Sequence, residues 1–378
     1  MKICHIADTV PMLQKGCAGA EWAAERFIRE QGNVADVFLI TSKVTQDSPV
    51  SDLKFYEVPI KFKGLSTNLH LGLYPFNKMV YNNVKKILEK EQPDIVHLHN
   101  FKFFGFSAIK AAKELGIKVV FSVYDYWMFC PLSSLYIKHQ QKICYEYHSR
   151  KCTRCFGLPG NVFSLRKGTF EKNAKMIDWF FVISQDSKNI LTDNNIPANK
   201  ISISSLVLDT PEIPEVEKIP KTILYVGWFV PHKGLDILIK GLSGTGYRLY
   251  AAGILDADPS YVKKCINLAK ELNVEMEVLG PLPHAKIIEY IKKYEYLAVP
   301  SQWRIPLPTI MMEGLSVGTK VIGSNVGSIR DHLPKENIFN NENEIKNCLE
   351  TAKFIKKRFD NRKIVNGIID IYKLLLST

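Results

Sequence analysis

The chain has 378 residues, of which 46% are hydrophobic and 23% charged, with 50 Lys/Arg against 38 Asp/Glu. That length suits two domains of ordinary size, and that balance excludes a disordered chain. No run of about 18 apolar residues occurs, which excludes a transmembrane helix; the early acid Asp8 argues against a signal peptide, so a cytoplasmic protein is expected.

In chain order, Lys2–Ala7 reads as a buried strand and Gly19–Gln31 as a helix, with Trp22, Ala23, Phe27 and Ile28 at helical spacing. Val37–Thr41 is a strand. Asn77–Glu91 is a helix with Met79, Val80, Val84, Ile87 and Leu88 on one side. Asp94–Leu98, Lys118–Val123 and Trp179–Ser184 are strands, with helices at Ala108–Leu115 and from Gln185. Strands separated by helices at this rhythm predict βαβ units and a parallel sheet. Asp209–Lys221 carries three prolines and alternating charge and reads as a linker. The rhythm restarts with strand Thr222–Val226, a helix from Lys233, strand Tyr247–Ala252, helix Ser260–Leu272 and strand Glu275–Leu279. Helix Ala285–Lys293, strand Tyr296–Val299, a helix bearing Glu313 and strand Lys320–Gly323 follow, and Ile345–Leu376 is read as helical. The fold class is therefore α/β, with two doubly wound domains facing across a cleft. The first covers 1–208 and includes an irregular, cysteine-bearing insertion at 128–160. The linker is 209–221, the second domain 222–357, and 358–378 a terminal helix returning to the first domain.

The charge is uneven. Residues 1–190 hold 26 Lys/Arg and 17 Asp/Glu, and residues 191–378 hold 24 and 21. A basic first half is either a solvated Lys-rich surface or a face for an anionic partner such as a phosphorylated acceptor or an acidic membrane surface. No helix-turn-helix, RNA-recognition or zinc-finger pattern is present, so nucleic acid is not the expected partner.

Several stretches carry residue types suited to chemistry. Leu224–Gly234 follows a strand and opens a helix; Gly227 lets backbone approach a ligand, and Lys233 beside a helix start makes an anion site. Val299–Gly318 is strand, Pro300-Ser301 loop, and a helix whose one acid, Glu313, suits hydrogen bonds to vicinal hydroxyls. Gly16–Glu21 joins the first strand to the first helix, with Gly19 at the helix start. Asp94–Asn100 ends a strand in His97 and His99, on one face by alternation, and Asn100. The pair is either a strand-end histidine pair or part of a site; no third metal ligand stands out by spacing. Cys130, Cys144, Cys152 and Cys155 fall within 26 residues of an irregular, polar segment. Four thiolates there suit one structural zinc, with free thiols and a redox role as the alternatives. Cys4, Cys17, Cys265 and Cys348 read as packing residues.

Taken together, these landmarks in this order resemble glycosyltransferase family 4 over nearly the whole chain. Its donor loop reads Pro-Ser, Glu, seven residues, Glu; Glu313 matches the second acid. Its phosphate loop reads Val-Gly-Arg followed by Lys-Gly; Gly227, Lys233 and Gly234 match. Asp125, Tyr126, Trp127, Cys130 and Pro131 match a subgroup that reads His-Asp-Tyr-Trp, then Cys-Pro. Three positions depart from the pattern: Tyr124 replaces the His, Trp228 the Arg, and Ile305 the first Glu. The resemblance implies a GT-B fold and retaining transfer of a sugar from a nucleotide-sugar donor to a glycan or lipid-linked acceptor in cell-surface polysaccharide synthesis. It implies no catalytic metal. Asp125, His97 and His99 are then the expected catalytic residues. Gly19, Gly227, Lys233, Glu313, Pro300 and Ser301 are expected to bind donor and Asn100 acceptor, with the enzyme in the cytoplasm and peripheral contact with the inner membrane face open. The three departures keep a second reading in play: a lapsed GT-B protein that binds or regulates an active transferase.

Overall fold

The computed structural model describes all residues except 15–16, 18, 43, 45–52, 61–74, 148–151, 153–154, 156–161, 210–213 and 215. Parts of three expected features lie outside the described residues: Gly16 and Ala18 of the first loop, much of the 128–160 insertion, and the middle of the 209–221 linker. The rest forms two compact units. Unit 1 is Met1–Leu135, Cys144–Leu208 and Asp360–Thr378; unit 2 is Tyr136–Ile143 and Asp209–Phe359.

The strands of unit 1 are β1 (Lys2–Ala7), β2 (Asp36–Thr41), β3 (Lys54–Glu57), β4 (Ile95–Leu98) and β5 (Lys118–Ser122). A two-stranded hairpin, β6 (Tyr136–Ile137) and β7 (Lys142–Ile143), interrupts the series and is counted with unit 2, although it lies inside the insertion that the sequence places in the first domain. β8 (Trp179–Val182) and β9 (Ile201–Ile203) complete the sheet, whose order is β3-β2-β1-β4-β5-β8-β9, every pair parallel. Helices α1 (Gly19–Gly32), α2 (Lys78–Glu91), α3 (Gly105–Glu114), α4 (Val162–Ala174) and α5 (Gln185–Asp193) are the crossovers. Covered on both faces, the central strands are continuous apolar runs: Ile3, Cys4 and Ile6 are wholly buried. Asn77 starts α2 by accepting the Met79 and Val80 N–H groups.

Unit 2 repeats the plan with β10 (Ile219–Val226), β11 (Arg248–Ala252), β12 (Met276–Gly280), β13 (Tyr294–Val299), β14 (Lys320–Ser324) and β15 (Ile338–Phe339). The order is β12-β11-β10-β13-β14-β15, again all parallel. Its helices include α6 (Leu235–Leu242), α7 (Pro259–Glu271), α8 (His284–Lys293), α9 (Thr309–Val317), α10 (Ile329–His332) and α11 (Ile345–Thr351). Each sheet reverses its strand order once, between β1 and β4 and between β10 and β13. Those reversals open crevices at the carboxyl ends of the strands.

The chain closes with α12 (Asn361–Leu376). Thus Ile345–Leu376 is two helices and not one, and they belong to different units. The Asn337 side chain breaks the run: its Oδ1 accepts the Lys353 N–H at 2.9 Å, and its Nδ2 donates to the Lys353 carbonyl at 3.0 Å. The Lys357 N–H is held by the Leu315 carbonyl at 2.9 Å. Asp360 then caps α12 through the Lys363 N–H. Val365, Ile368, Ile369, Tyr372 and Leu375 form its apolar stripe and pack with Ile3, Phe27, Ile95 and Phe181 of unit 1. Each such side chain contributes about 1.5–3 kcal/mol on full burial. Among the described residues, no helix is long and apolar enough to cross a membrane.

Ile368 is 5% exposed. Ile368→Ala should cost about 2–4 kcal/mol, read as a lower urea midpoint at unchanged slope; an unchanged midpoint would show that α12 adds nothing to unit 1.

Candidate functional site

In unit 2 the two loops at the strand reversal lock onto each other. After β10, Pro231–Lys233 make a 3-10 turn and Gly234 takes a left-handed conformation (φ 74°) before α6 begins at Leu235. Lys233 therefore precedes the helix; it does not open it. A Cβ on Gly234 would stand 1.9 Å from the Pro300 carbonyl oxygen, so only glycine fits. Gln302 brackets the junction: its N–H donates to the His232 carbonyl and its Nε2 to the Pro300 carbonyl, both at 2.8 Å. Ser301 is buried, and its carbonyl accepts the Ser324 hydroxyl. Lys233 Nζ lies 5.2 Å from the Trp303 ring centroid. Burial lowers its pKa to about 8, which keeps the ammonium charged at neutral pH. His232 sits edge-on to Trp303 at 5.7 Å, and Tyr136 of the hairpin lies 5.8 Å from His232. Gly227 donates its N–H to the Ala252 carbonyl, and Trp228 beside it is exposed.

The helix N-terminus of α9 forms the other wall. Glu313 is 3% exposed and accepts a hydrogen bond from His284 Nε2 at 2.8 Å. The buried Thr309 hydroxyl and the Trp303 indole N–H have no hydrogen-bond partner among the described residues. Buried polar groups are nearly always paired, so these two atoms call for water or a ligand to complete their bonding. Ile305 is buried, and its carbonyl accepts the Ser328 hydroxyl at 2.6 Å. Nothing polar is presented at that position.

Unit 1 has a matching edge. At its reversal, the Asp8 N–H donates to the Asn100 carbonyl at 2.5 Å, and the Phe103 N–H lies 3.1 and 3.2 Å from the two Asp8 carboxylate oxygens. Burial raises the Asp8 carboxyl to about 8, against the pull of Lys102. Burial also raises Asp125, which accepts the Trp127 N–H at 2.8 Å. Asn100 is 8% exposed, and neither atom of its amide has a partner among the described residues. Gly19 is exposed at the start of α1.

His97 and His99 do lie on one face, their rings stacked at 4.4 Å. Both are buried. His97 hydrogen-bonds the Tyr372 hydroxyl through Nδ1 and Ser122 Oγ through Nε2 at 2.8 Å. His99 Nε2 pairs with His5 Nδ1 at 3.0 Å and stacks on Tyr124 at 5.6 Å. His97 is thereby removed from the catalytic set that the sequence proposes; it supports the strand end that carries Asn100. Among the described residues, His5, His97 and His99 are the trio whose ligating atoms all lie within 4.8 Å of one another. Desolvation holds all three neutral, with His5 lowered to about 3. In this phenylalanine-lined interior His5 and His99 are joined by a hydrogen bond, while His97 is held by Tyr372 and Ser122.

Sequence spacing missed His5, Asp8, Lys102, His284 and Thr309. Asp8 was within reach, because it is the first residue beyond a strand beside the reversal. His284 joins Glu313 across 29 positions, which no local pattern reveals.

The family model described as Glycosyltransferase Family 4 matches residues 18–210, and that described as Glycosyl transferases group 1 matches 209–374. The chain belongs to the family 4 glycosyltransferases. A protein in the cps region of Klebsiella pneumoniae, uncharacterized, is 24% identical over 68% of this chain. An uncharacterized glycosyltransferase of Methanocaldococcus jannaschii is 27% identical over 40% of it. The matches span 64% and 48% of those relatives' own lengths. Anabaena HepE in complex with UDP shares the fold at a TM-score of 0.69 and 14% identity, over 99% of this chain and all of that one. The fold is GT-B: two Rossmann-like units, each built on a parallel sheet.

Asp8 offers a test of this edge. Its carboxyl titrates near 3.8 when unfolded and near 8 when folded, so the unfolded state releases its proton first and stability falls as pH rises across that window. Asp8→Asn should raise the melting temperature most at pH 8, with the gain shrinking toward pH 5. A pH-independent gain would contradict the assignment.

Proposed function

We propose that this transferase moves a sugar from a nucleotide-activated donor to a glycan or lipid-linked acceptor in cell-surface polysaccharide synthesis, with retention of configuration. The observation that carries the donor half is the grouping of Lys233, Trp303 Nε1 and Thr309 Oγ1 around the strand reversal of unit 2, the last two atoms lacking partners among the described residues. Lys233 and the amino end of α6 would take the diphosphate, and Glu313 the ribose hydroxyls. Gly19, Gly227, Pro300 and Ser301 line the same reading as backbone contacts. Negative charge grows on the leaving diphosphate, and the ammonium and helix amides would stabilise it with no catalytic metal. Asp125, Asp8, His99 and Asn100 belong to the sugar and acceptor half. HepE was solved with UDP, and the Klebsiella relative is named for a cps region; both support this reading. The cysteine cluster takes no part in the transfer.

Titration calorimetry with UDP and GDP tests the donor site. One nucleotide should bind, and Lys233→Ala should weaken it by about ten- to hundredfold, the worth of one charge-assisted contact of about 1.5–3 kcal/mol. Binding should also weaken from pH 7 to 9 as Lys233 loses its proton, and Lys233→Ala should abolish that dependence. Absence of binding by every nucleotide would favour the second reading, a lapsed partner of an active transferase, which the buried, apolar Ile305 supports.

The Lys-rich first half supports peripheral contact with an anionic membrane face. The protein should sediment with anionic liposomes at low salt and be released at high salt; failure to sediment at low salt would remove the membrane from the proposal.

A further inference from the structure

The hairpin of β6 and β7 is counted with unit 2, although it lies far upstream of the rest of that unit in the sequence. Tyr136 pairs with Ile143 and Ile137 with Lys142 in antiparallel register. The Cys144 N–H donates to the Leu135 carbonyl at 2.7 Å and closes the base. Three residues other than glycine take the left-handed conformation around it: Ser133 (φ 60°) and Leu135 (φ 49°) ahead of the first strand, and Gln141 (φ 51°) ahead of the second. Such backbone costs energy and persists where its surroundings hold it. Here the buried Leu135 and Tyr136 side chains anchor the entry to the hairpin.

From that anchor a row of rings runs to Lys233. The Tyr136 ring lies 5.8 Å from His232 at an interplanar angle of 51°, and His232 lies 5.7 Å from Trp303 at 79°. Aromatic pairs attract at these separations and tilts. Trp303 in turn has the Lys233 ammonium 5.2 Å from its ring centroid, a cation–π distance. His232 and Lys233 are neighbours in the 3-10 turn that the Gln302 N–H pins through the His232 carbonyl. The backbone thus fixes the turn, and the rings fix the side chains that leave it. Asp236, in the first turn of α6, is already held by the Tyr261 hydroxyl at 2.6 Å and Lys264 Nζ at 2.9 Å. What depresses Lys233 is burial alone, and the Trp303 ring is part of what keeps water from it.

We propose that Tyr136 is a positioning residue for the anion site of unit 2: through His232 it holds the Trp303 ring, and with it the Lys233 ammonium, where an anion binds. On the donor reading above, that anion is the diphosphate of a nucleotide donor. Tyr136 touches no reacting atom. It acts on the place and the hydration of the Lys233 ammonium. Without its ring, His232 and Trp303 are free to turn, water reaches Lys233, and the ammonium is no longer held in one place. The Trp303 indole N–H, buried and unpartnered among the described residues, turns with them.

The test is titration calorimetry of the whole chain with UDP and GDP from pH 7 to pH 9, on the wild type and on Tyr136→Ala, Tyr136→Leu and Tyr136→Phe. Tyr136→Ala and Tyr136→Leu should weaken the nucleotide that binds by about two- to tenfold at pH 7, the worth of one aromatic pair. Tyr136→Phe keeps the ring and should bind as the wild type does. The pH profile separates positioning from packing. Wild-type binding should fade above pH 8 as Lys233 loses its proton. With water admitted, Lys233 titrates closer to its ordinary 10.5, so the weaker binding of the Ala and Leu variants should hold level to pH 9. Circular dichroism confirms that each variant is folded, and Tyr136→Leu, which fills the space without a ring, decides where Tyr136→Ala does not fold. Ala and Leu variants that bind as the wild type does, or that bind more weakly with the fade still near pH 8, overturn the proposal. A wild type that binds no nucleotide overturns the donor reading and this proposal with it, so the wild type alone tells the two failures apart.

Discussion

The carbonyl of Pro300 pressed against Gly234 is the contact on which the strand reversal of unit 2 is built. The loops after β10 and β13 touch through backbone, with no side chain between them, because Gly234 has none to interpose. Gln302 then ties the turn to the loop from both sides. The consequence is positional. Lys233 is held over Trp303 and just short of the α6 amino end, so its ammonium and the helix start stand side by side. A larger residue at 234 would separate the loops and lose the alignment, not merely strain one turn.

Unit 1 solves a different problem, which is how to present polar groups at a strand end without flooding the interior with charge. Its three histidines are desolvated into neutrality: His5 pairs with His99, His99 stacks on His97, and His97 hydrogen-bonds Tyr372 of α12. Asp8 is raised far enough by burial to be largely protonated at neutral pH. The C-terminal helix thus contributes more than apolar area to unit 1. Its tyrosine holds His97 on the strand that ends before Asn100, whose amide has no partner among the described residues.

Much of this was legible in the sequence. The period-two and period-3.6 patterns located the central strands and most crossover helices to within a few residues, because those strands are buried on both faces and read as apolar runs. The short edge strands β3, β9 and β15 escaped notice: with few buried positions they leave little pattern. The break between α11 and α12 escaped because Asn337, which causes it, is 16 positions away from Lys353. The loops carrying Gly227, Lys233, Gly234 and Glu313 could be placed at strand ends because their signals are local. The pairing of His284 with Glu313, and of His5 with His99, was not, since each joins residues from separate crossovers and exists only in three dimensions.

The three departures from the family pattern do not weigh equally once they are placed. Trp228 is exposed, so it leaves a polarizable aromatic face where a guanidinium would stand. Tyr124 stays stacked on His99 and keeps the network closed. Ile305 differs in kind. It is 7% exposed, with its carbonyl taken by Ser328, so the site has given up an acid and filled the space with packing. Restoring a carboxylate there would bury a charge against a closed wall. The loss is therefore built into the loop: no carboxylate is presented at 305, and the position is filled by packing.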